Sequence, residues 1–319
     1  MLSIIIHVHN NAEALVNCLN SIMAQGGGFE VILINNGSTD ESAALCDKYR
    51  ERDGRVQVIH MEESPAAAAL NAGIKLAGGE YIHFTSPDGY MEEGAFEKVQ
   101  PLLGKGTDII FIETSVSKPK GHFDISTNNI LRRLCQELPQ GLWDKLISRE
   151  LLIREDISFA EGDIWVELDF CITLHLHAKT YSATDFLFYH HTNEQELDFS
   201  KIMLTLSKWT GPAEAAYEDY QQIIHRWMAA MYSDLLLPNY SKLPAEYANS
   251  MSDFLWLLDV RKARRDKVAK ALQAVLGLRI ASYIMANYRE PNLHRLRVEF
   301  WRGVNNAKSS YHRMRQNRK

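Results

Sequence analysis

The chain has 319 residues, of which 46% are apolar and 24% charged, the balance of a globular protein with room for one large domain and a smaller unit. Its net charge of −5 is modest and gives no indication of a nucleic-acid partner. The charge is unevenly placed, since residues 289–319 carry nine Lys or Arg against two Asp or Glu. The composition therefore excludes a largely disordered chain and predicts a basic C-terminal tail.

Cysteine placement and hydropathy indicate in which cellular compartment the protein is expected. The four cysteines are scattered without metal-binding spacing, which favours reduced thiols; they are Cys18, Cys46, Cys135 and Cys171. The start of the chain is too polar for a signal peptide, and no stretch reaches the roughly 18 apolar residues of a membrane span. We therefore expect a cytoplasmic protein.

The first 115 residues alternate between short β-branched runs and amphipathic helical patterns. Strands buried on both faces are predicted at residues 2–8, 31–34, 56–60, 81–84 and 108–114. Helices are predicted between them at residues 12–23, 42–50 and 65–77, the second with Asp40 as its N-cap. This alternation predicts an α/β fold in which helices flank a mostly parallel, Rossmann-like central sheet.

Polar, turn-forming segments follow three of these strands, at residues 7–11, 35–40 and 85–89. Parallel sheets bind ligands beyond the carboxyl ends of their strands, and those ends lie along one edge. We therefore expect the three segments to meet in one site.

Beyond residue 140 the pattern changes to one dominated by helices. A helix is predicted at 141–153, with Trp143, Leu146 and Ile147 on one face, and another at 170–177. Residues 179–190 alternate as an edge strand or a loop. After about residue 200 nearly everything is predicted helical, at 203–209, 213–236, 247–261 and 267–288. The predicted division is an α/β domain at 1–200 and a helical C-terminal region at 201–319.

Five segments, in order, resemble the inverting glycosyltransferases of family 2, which have the GT-A fold and include many enzymes of bacterial polysaccharide synthesis. Residues 3–10 resemble the opening strand, and residues 33–40 the nucleotide-binding turn. Residues 69–73 with 79–82 resemble the helix and strand before the metal motif. Ser86-Pro87-Asp88 occupies the place of the Asp-x-Asp metal motif, and residues 161–170 resemble the segment with the catalytic base. The resemblance covers roughly residues 1–200.

The resemblance implies a site for a nucleotide-sugar donor and a glycan or lipid-linked glycan acceptor. Glu167 stands where the family has an aspartate, so it is the candidate base for the acceptor hydroxyl. Asp88 is the candidate ligand of a divalent metal, Mn²⁺ or Mg²⁺, that neutralises the diphosphate leaving group. The residues expected to contact the nucleotide sugar are His7, His9, Asn10, Asn35, Asn36, Ser38, Asn71, Ser86, Asp88 and His191.

Departures from the family pattern leave a second reading open. Asn35-Asn36 replaces a pair of aspartates, and Leu70 replaces an arginine that would contact the diphosphate. Ser86 replaces the first carboxylate of the metal motif, so the metal is expected to be held weakly without nucleotide. The first hypothesis is a glycosyltransferase that inverts the anomeric carbon in bacterial surface polysaccharide synthesis. The alternative is a degenerate, non-catalytic GT-A protein that binds a glycan or a partner enzyme.

Plainer roles exist for the same residues. Asp88 lies in Pro-Asp-Gly, a favoured turn sequence, and Glu167 suits the first turn of a helix. The tail after residue 289 mixes basic and aromatic side chains, either as a solvated end or as a segment lying on the inner face of the plasma membrane.

Overall fold

The structure is a computed structural model that describes residues 1–115, 141–162, 165–191, 198–215 and 218–260, with scattered residues between 266 and 285. The chain divides into two compact units, Met1–Asp198 and Phe199–Lys319. The basic tail, Cys135 and much of the helix predicted at 267–288 lie outside the described residues.

One sheet forms the frame of the first unit, and its described strands follow the order β3-β2-β1-β4-β7-β6-β8-β5. The strands are β1 (Leu2–Val8), β2 (Phe29–Asn36), β3 (Val56–Met61), β4 (Tyr81–Thr85), β5 (Gly89–Met91), β6 (Ile109–Thr114), β7 (Lys145–Ser148) and β8 (Tyr181–His191). Strands β3, β2, β1 and β4 pair in parallel, as do β6 and β8. Strand β7 runs antiparallel to β4 and β6, and β5 runs antiparallel to β8.

Helices follow the strands and cover the sheet. They are α1 (Ala12–Met23), α2 (Ser42–Arg52), α3 (Ala66–Leu76), α4 (Ala95–Val99), α5 (Arg149–Arg154) and α6 (Val166–His177). Helix α1 buries Leu15, Cys18, Leu19 and Ile22, the apolar side predicted from its spacing. Because helices cover the sheet, β1 and β4 are buried almost from end to end. The predicted α/β fold with a mostly parallel, helix-flanked sheet is confirmed.

The helix predicted at 141–153 is wrong in its first half. Residues Lys145–Ser148 form strand β7, and only Arg149–Arg154 is helical. Leu146 and Ile147 lie between β4 and β6, where β7 pairs through backbone hydrogen bonds with both neighbouring strands. Ser148 then starts α5, since its hydroxyl accepts a hydrogen bond from the Leu151 N–H. Pairing with two open strand edges outweighs the helical spacing of the apolar side chains.

Two further expectations need correction. Strand β3 is not buried on both faces, because it lies at the edge of the sheet and most of its residues are half-buried. Asp40 does not occupy the N-cap of α2, which is Glu41. Instead its carboxylate accepts from the N–H groups of Ser42 and Ala12, so it joins the first turns of α2 and α1.

The second unit is helical in its described residues, as predicted. Its elements are α7 (Phe199–Ala215), α8 (Glu218–Ala230), a π-helical segment (Met231–Leu236), a 3-10 segment (Leu237–Lys242), α9 (Ala245–Ser250) and a second 3-10 segment (Met251–Asp259). The buried Tyr232 hydroxyl donates to the Met251 carbonyl and joins two of these segments. Among the described helices, none combines the length and apolarity needed to cross a membrane.

Candidate active site

The carboxyl ends of β1, β2 and β4 lie side by side, because the three strands are parallel and in register. Val8 pairs with Asn35, and Ile6 pairs with both Leu33 and Thr85. The polar segments that follow these strands therefore emerge at one edge of the sheet, as the sequence predicted. Two of the three are joined to each other by hydrogen bonds.

Asn36 links β2 to the segments on either side of it. Its buried amide oxygen accepts from the Ser64 N–H at 3.1 Å and the Ser64 hydroxyl at 2.8 Å. Its amide nitrogen donates to the Ser64 carbonyl at 2.8 Å and faces the His7 Nε2 at 3.2 Å. The backbone N–H of Ser64 fixes which end of the amide carries the oxygen. The side chain is thus satisfied within the protein.

This arrangement fixes the tautomer of His7. Since the Asn36 amide nitrogen is a donor, the facing Nε2 of His7 must accept, and the neutral ring carries its proton on Nδ1. Burial, and then the neighbouring His9, lower the pKa of His7, which favours the same neutral form. The Nδ1–H has no hydrogen-bond partner among the described residues, and His7 lines the cavity defined below. His7 therefore offers that cavity an uncharged donor.

Asn10 organises the loop after β2. It adopts a left-handed backbone conformation with φ of 54°, and its side-chain oxygen accepts from the Thr39 N–H at 2.8 Å. Its own N–H donates to the Ser38 hydroxyl at 3.1 Å. His9 Nδ1 lies 2.8 Å from the Asn36 carbonyl oxygen and adds a further link between the two loops. These contacts hold residues 9–11 and 36–40 in place before any ligand binds.

Asn35 and Asn71, like most of the predicted contact residues, are not among the residues that line the cavity. Asn35 and Asn36 are adjacent on β2, so their side chains point to opposite faces of the sheet. The amide nitrogen of Asn35 lies 3.1 Å from His60 Nδ1. Asn71 forms two hydrogen bonds with the backbone of Phe159, each 2.9 Å long: its amide nitrogen donates to the carbonyl, and its amide oxygen accepts from the N–H. Asn71 thereby fixes the loop that leads to α6.

The loop after β4 carries Ser86 and Asp88. The Ser86 hydroxyl donates to the Asp88 carboxylate, and the Ser86 carbonyl accepts from the Tyr189 hydroxyl at 2.6 Å. A side chain at Gly89 would place its Cβ 2.3 Å from the His190 carbonyl oxygen. The loop therefore needs glycine where it returns along β8. Tyr189 and Gly89 together set the position of Asp88.

His191, at the end of β8, lies near this loop and packs against Trp143, with ring centroids 4.8 Å apart. Its buried Nε2 has no hydrogen-bond partner among the described residues. Burial lowers the pKa of His191 to about 4, and the opposite influence of Asp88 is smaller. At neutral pH the ring is uncharged, so it can offer a hydrogen bond to a phosphate but no positive charge.

A cavity of about 110 Å³ opens beside these loops. Its lining includes three of the predicted site residues, His7, Ser86 and Glu167. The other residues of the wall are Ala66, Leu70, Phe84, Thr85, Pro87, Leu142 and Trp143. Ligand pockets are usually several hundred Å³, so this cavity alone is smaller than the site that a nucleotide sugar needs. Glu167 reaches it from the first turn of α6.

Sequence reasoning missed part of the wall. Leu142 and Trp143 were assigned to a helix, whereas they lie in the turn before β7. Gly141, with φ of 78°, starts this turn, and a Cβ there would lie 2.5 Å from the Trp143 ring. In the sequence, the glycine two residues before Trp143 was the signal that could have indicated a turn here. Ser64 and Tyr189, which fix Asn36 and Ser86, gave no comparable signal in the sequence.

The described residues do not form a complete metal site. No cluster of three or more His, Cys, Asp or Glu side chains suited to a metal is present among them. Asp88 supplies one carboxylate, and its neighbour in the motif supplies only the Ser86 hydroxyl. A hard divalent cation prefers several oxygen ligands, with carboxylates prominent among them. Within the part of the chain that the structure describes, this motif therefore offers a metal a single carboxylate anchor.

The fold is that of the GT-A class of α/β proteins. S. aureus TarS, solved in complex with UDP-GlcNAc, matches with a TM-score of 0.66 at 18% identity, covering 89% of this chain and 90% of that one. A mannosyltransferase of Pyrobaculum calidifontis, solved with GDP-Man and Mn²⁺, matches with a TM-score of 0.55 at 15% identity, covering 89% of this chain and 84% of that one. At such identities the likeness establishes the fold.

Residues 3–156 match the family profile described as Glycosyl transferase family 2. The glycosyltransferase GlyG of Streptococcus pneumoniae is 35% identical over 113 residues, which are 34% of this chain and 38% of that relative. The curated relatives compared are covered over 11% to 60% of their lengths.

The Asn36 contacts give a test of the site's internal order. Asn36→Asp removes both donor hydrogens and places a carboxylate oxygen against the Ser64 carbonyl and the His7 lone pair. We expect unfolding free energy at pH 7.5 to fall by about 2–4 kcal/mol, because a buried charge loses its partners. Urea denaturation measures the change.

The control is Asn20→Asp, the same substitution at an exposed helix position whose oxygen accepts from Tyr49. Its effect should stay within about 0.5 kcal/mol. Equal stabilities for the two variants would show that Ser64 and His7 do not hold Asn36 in solution.

Proposed function

We propose that the domain transfers a sugar from a nucleoside-diphosphate donor to a glycan acceptor, free or lipid-linked, with inversion at the anomeric carbon. The product belongs to a bacterial surface polysaccharide. The observation that carries the proposal is that Glu167, on α6, lines the same cavity as His7 of β1 and Ser86 of the loop after β4. The match of residues 3–156 to family 2 and the UDP-GlcNAc complex of TarS support a nucleotide-sugar donor.

Glu167 is the general base in this mechanism. The acceptor hydroxyl attacks the anomeric carbon from the side opposite the leaving diphosphate and loses its proton as the new bond forms. A carboxylate within hydrogen-bond reach accepts that proton and increases the rate. Among the described residues that line the cavity, Glu167 is the one Asp or Glu. The diphosphate leaves on the side of the loop that carries Ser86 and Asp88.

His7 contacts the donor nucleotide in this arrangement. Asn36 has no free hydrogen-bonding group, since all of its amide atoms are engaged by Ser64 and His7. The neutral Nδ1–H of His7 is a donor for a carbonyl oxygen of a nucleobase. Asn36 then acts through His7 by fixing its tautomer, and the exposed Asn10 and Ser38 shape the adjoining loop.

Asp88 would hold a divalent metal that binds together with the nucleotide, because it is the only carboxylate that the described metal motif contributes. Such a cation would supply charge stabilisation for the diphosphate leaving group. The neutral His191 contributes an N–H and not a charge to the same end of the site.

Replacing Glu167 separates binding from chemistry. A thermal-shift screen of nucleotide sugars first identifies the donor, which should raise the melting temperature. Glu167→Gln keeps the shape of the side chain but cannot take a proton. We expect donor affinity to change little and turnover to fall roughly 100-fold or more. Calorimetry and product release measure the two effects.

Glu150→Gln is the matched control, because Glu150 is exposed on α5. It should match the wild type in both measurements. Unchanged turnover of Glu167→Gln would remove this residue as the base. Glycan binding by a wild-type protein without any turnover would favour the non-catalytic alternative. The observation that motivates this alternative is that the metal motif retains a single carboxylate.

Metal binding should depend on nucleotide. We expect calorimetric titration of Mn²⁺ into the protein alone to show weak binding, and binding at least about tenfold tighter when nucleoside diphosphate is present, because the phosphates complete the ligand set. Asp88→Asn should weaken the nucleotide-dependent step, whereas Asp156→Asn, at an exposed position, should not. Tight binding to the protein alone would reveal a second carboxylate. Full activity in excess chelator would exclude Asp88 as a metal ligand.

A further inference from the structure

A buried ammonium group lies behind the cavity wall. The side chain of Lys145 is only 1% exposed, and its Nζ donates to the Gly141 carbonyl at 2.8 Å. It also forms an ion pair with Asp144 and lies 5.8 Å from the ring centre of Phe111. A cation buried this deeply costs several kcal/mol unless nearby negative or polar groups stabilise it. The contacts with Asp144 and Gly141 are therefore needed to keep this buried side chain charged.

The same carbonyl connects Lys145 to the helix of the candidate base. The thiol of Cys171 also donates to the Gly141 carbonyl, at 3.5 Å. Cys171 follows Glu167 by four residues on α6, so the two side chains lie on one face of that helix. Lys145 and α6 thus meet at Gly141, directly beside the turn that carries Leu142 and Trp143.

Charge considerations point to the same neighbours. Burial alone would lower the pKa of Lys145, but Asp144, Cys171 and Glu167 together raise it above its usual value. The lysine is therefore charged at neutral pH. A fixed positive charge close to a carboxylate favours the ionised form of that carboxylate.

We propose that Lys145 is a positioning residue with two linked roles: it holds the Leu142–Trp143 wall through the Gly141 carbonyl, and it keeps Glu167 ionised and ready to accept a proton. This inference rests on the proposed function of Glu167 as the base. Lys145 touches no reacting atom in this scheme and acts only through Glu167 and the wall.

The two roles have different signatures. Loss of the wall alone would alter substrate binding and would leave the ionisation of Glu167 unchanged. Loss of the ammonium charge would raise the pKa of Glu167, so the base would become protonated at a higher pH. The acidic limb of the pH profile for kcat reports that ionisation in the enzyme–substrate complex.

The experiment compares Lys145→Met, Lys145→Arg and the wild type in pH–rate profiles. We expect Lys145→Met to move the acidic limb of kcat upward by about 1 pH unit or more, and Lys145→Arg to restore it toward the wild-type position. Lys179→Met, which removes an exposed lysine, should leave the limb in place. An unmoved limb in folded Lys145→Met would overturn the proposal.

Should Lys145→Met fail to fold, Asp144→Asn makes the same test with a smaller change. It removes the negative charge that offsets the ammonium of Lys145, so more of that positive charge acts on Glu167 and the acidic limb should move to lower pH. A limb that does not move overturns the proposal in this variant as well.

A second measurement needs no turnover. Urea denaturation of Lys145→Met, Glu167→Gln and the double variant forms a cycle, and Lys145→Met should lower the midpoint less in the Glu167→Gln background than in the wild type. Additive midpoints would overturn the pairing of the two charges. Coupling in a protein that lacks turnover would uphold the pairing and reject the proposed function, so the two failures are distinguishable.

Discussion

Hydrogen bonding at the carboxyl ends of β1 and β2 is the constraint on which the site depends. Parallel strands bring polar loops to one sheet edge, and every buried donor and acceptor there needs a partner. Asn36 meets this requirement by engaging Ser64 with both ends of its amide while it faces His7. The loops are consequently ordered by protein contacts, and a ligand does not have to order them on binding.

This internal order limits the groups available to a ligand. Several residues of the nucleotide-binding segments, notably Asn10 and Asn36, are used to hold the loops together. Among the described residues, His7 and Glu167 lie on the cavity wall, and His191 and Asp88 lie at the loop after β4. They provide two imidazole rings and two carboxylates, the groups that the proposed function assigns to the nucleotide, the diphosphate, the metal and the acceptor hydroxyl.

Much of the α/β frame could be predicted from the sequence, because period-two and period-3.6 patterns reflect burial directly. Strand Leu2–Val8 and helix Ala12–Met23 have their predicted bounds. Strand β7 could not be found in this way, since Leu146 and Ile147 fit either pattern and only the open edges of β4 and β6 decide between them. The convergence of His7, Ser86 and Glu167 followed from strand order and family resemblance. The sequence could not predict that the Asn36 side chain bonds to the protein instead of a ligand. That role depends on its hydrogen bonds with Ser64, which lies 28 residues away.

If the strand-end loops and the Trp143 turn bind a nucleotide sugar, the ligand must protect their backbone amides. Hydrogen–deuterium exchange of the full chain is therefore measured with and without a saturating nucleotide sugar. We expect slower exchange in peptides that cover residues 7–11, 36–40, 85–89 and 141–144, and little change in strand β3 at the sheet edge. Unchanged exchange in these peptides at saturation, or protection of a different surface, would show that the nucleotide sugar binds elsewhere.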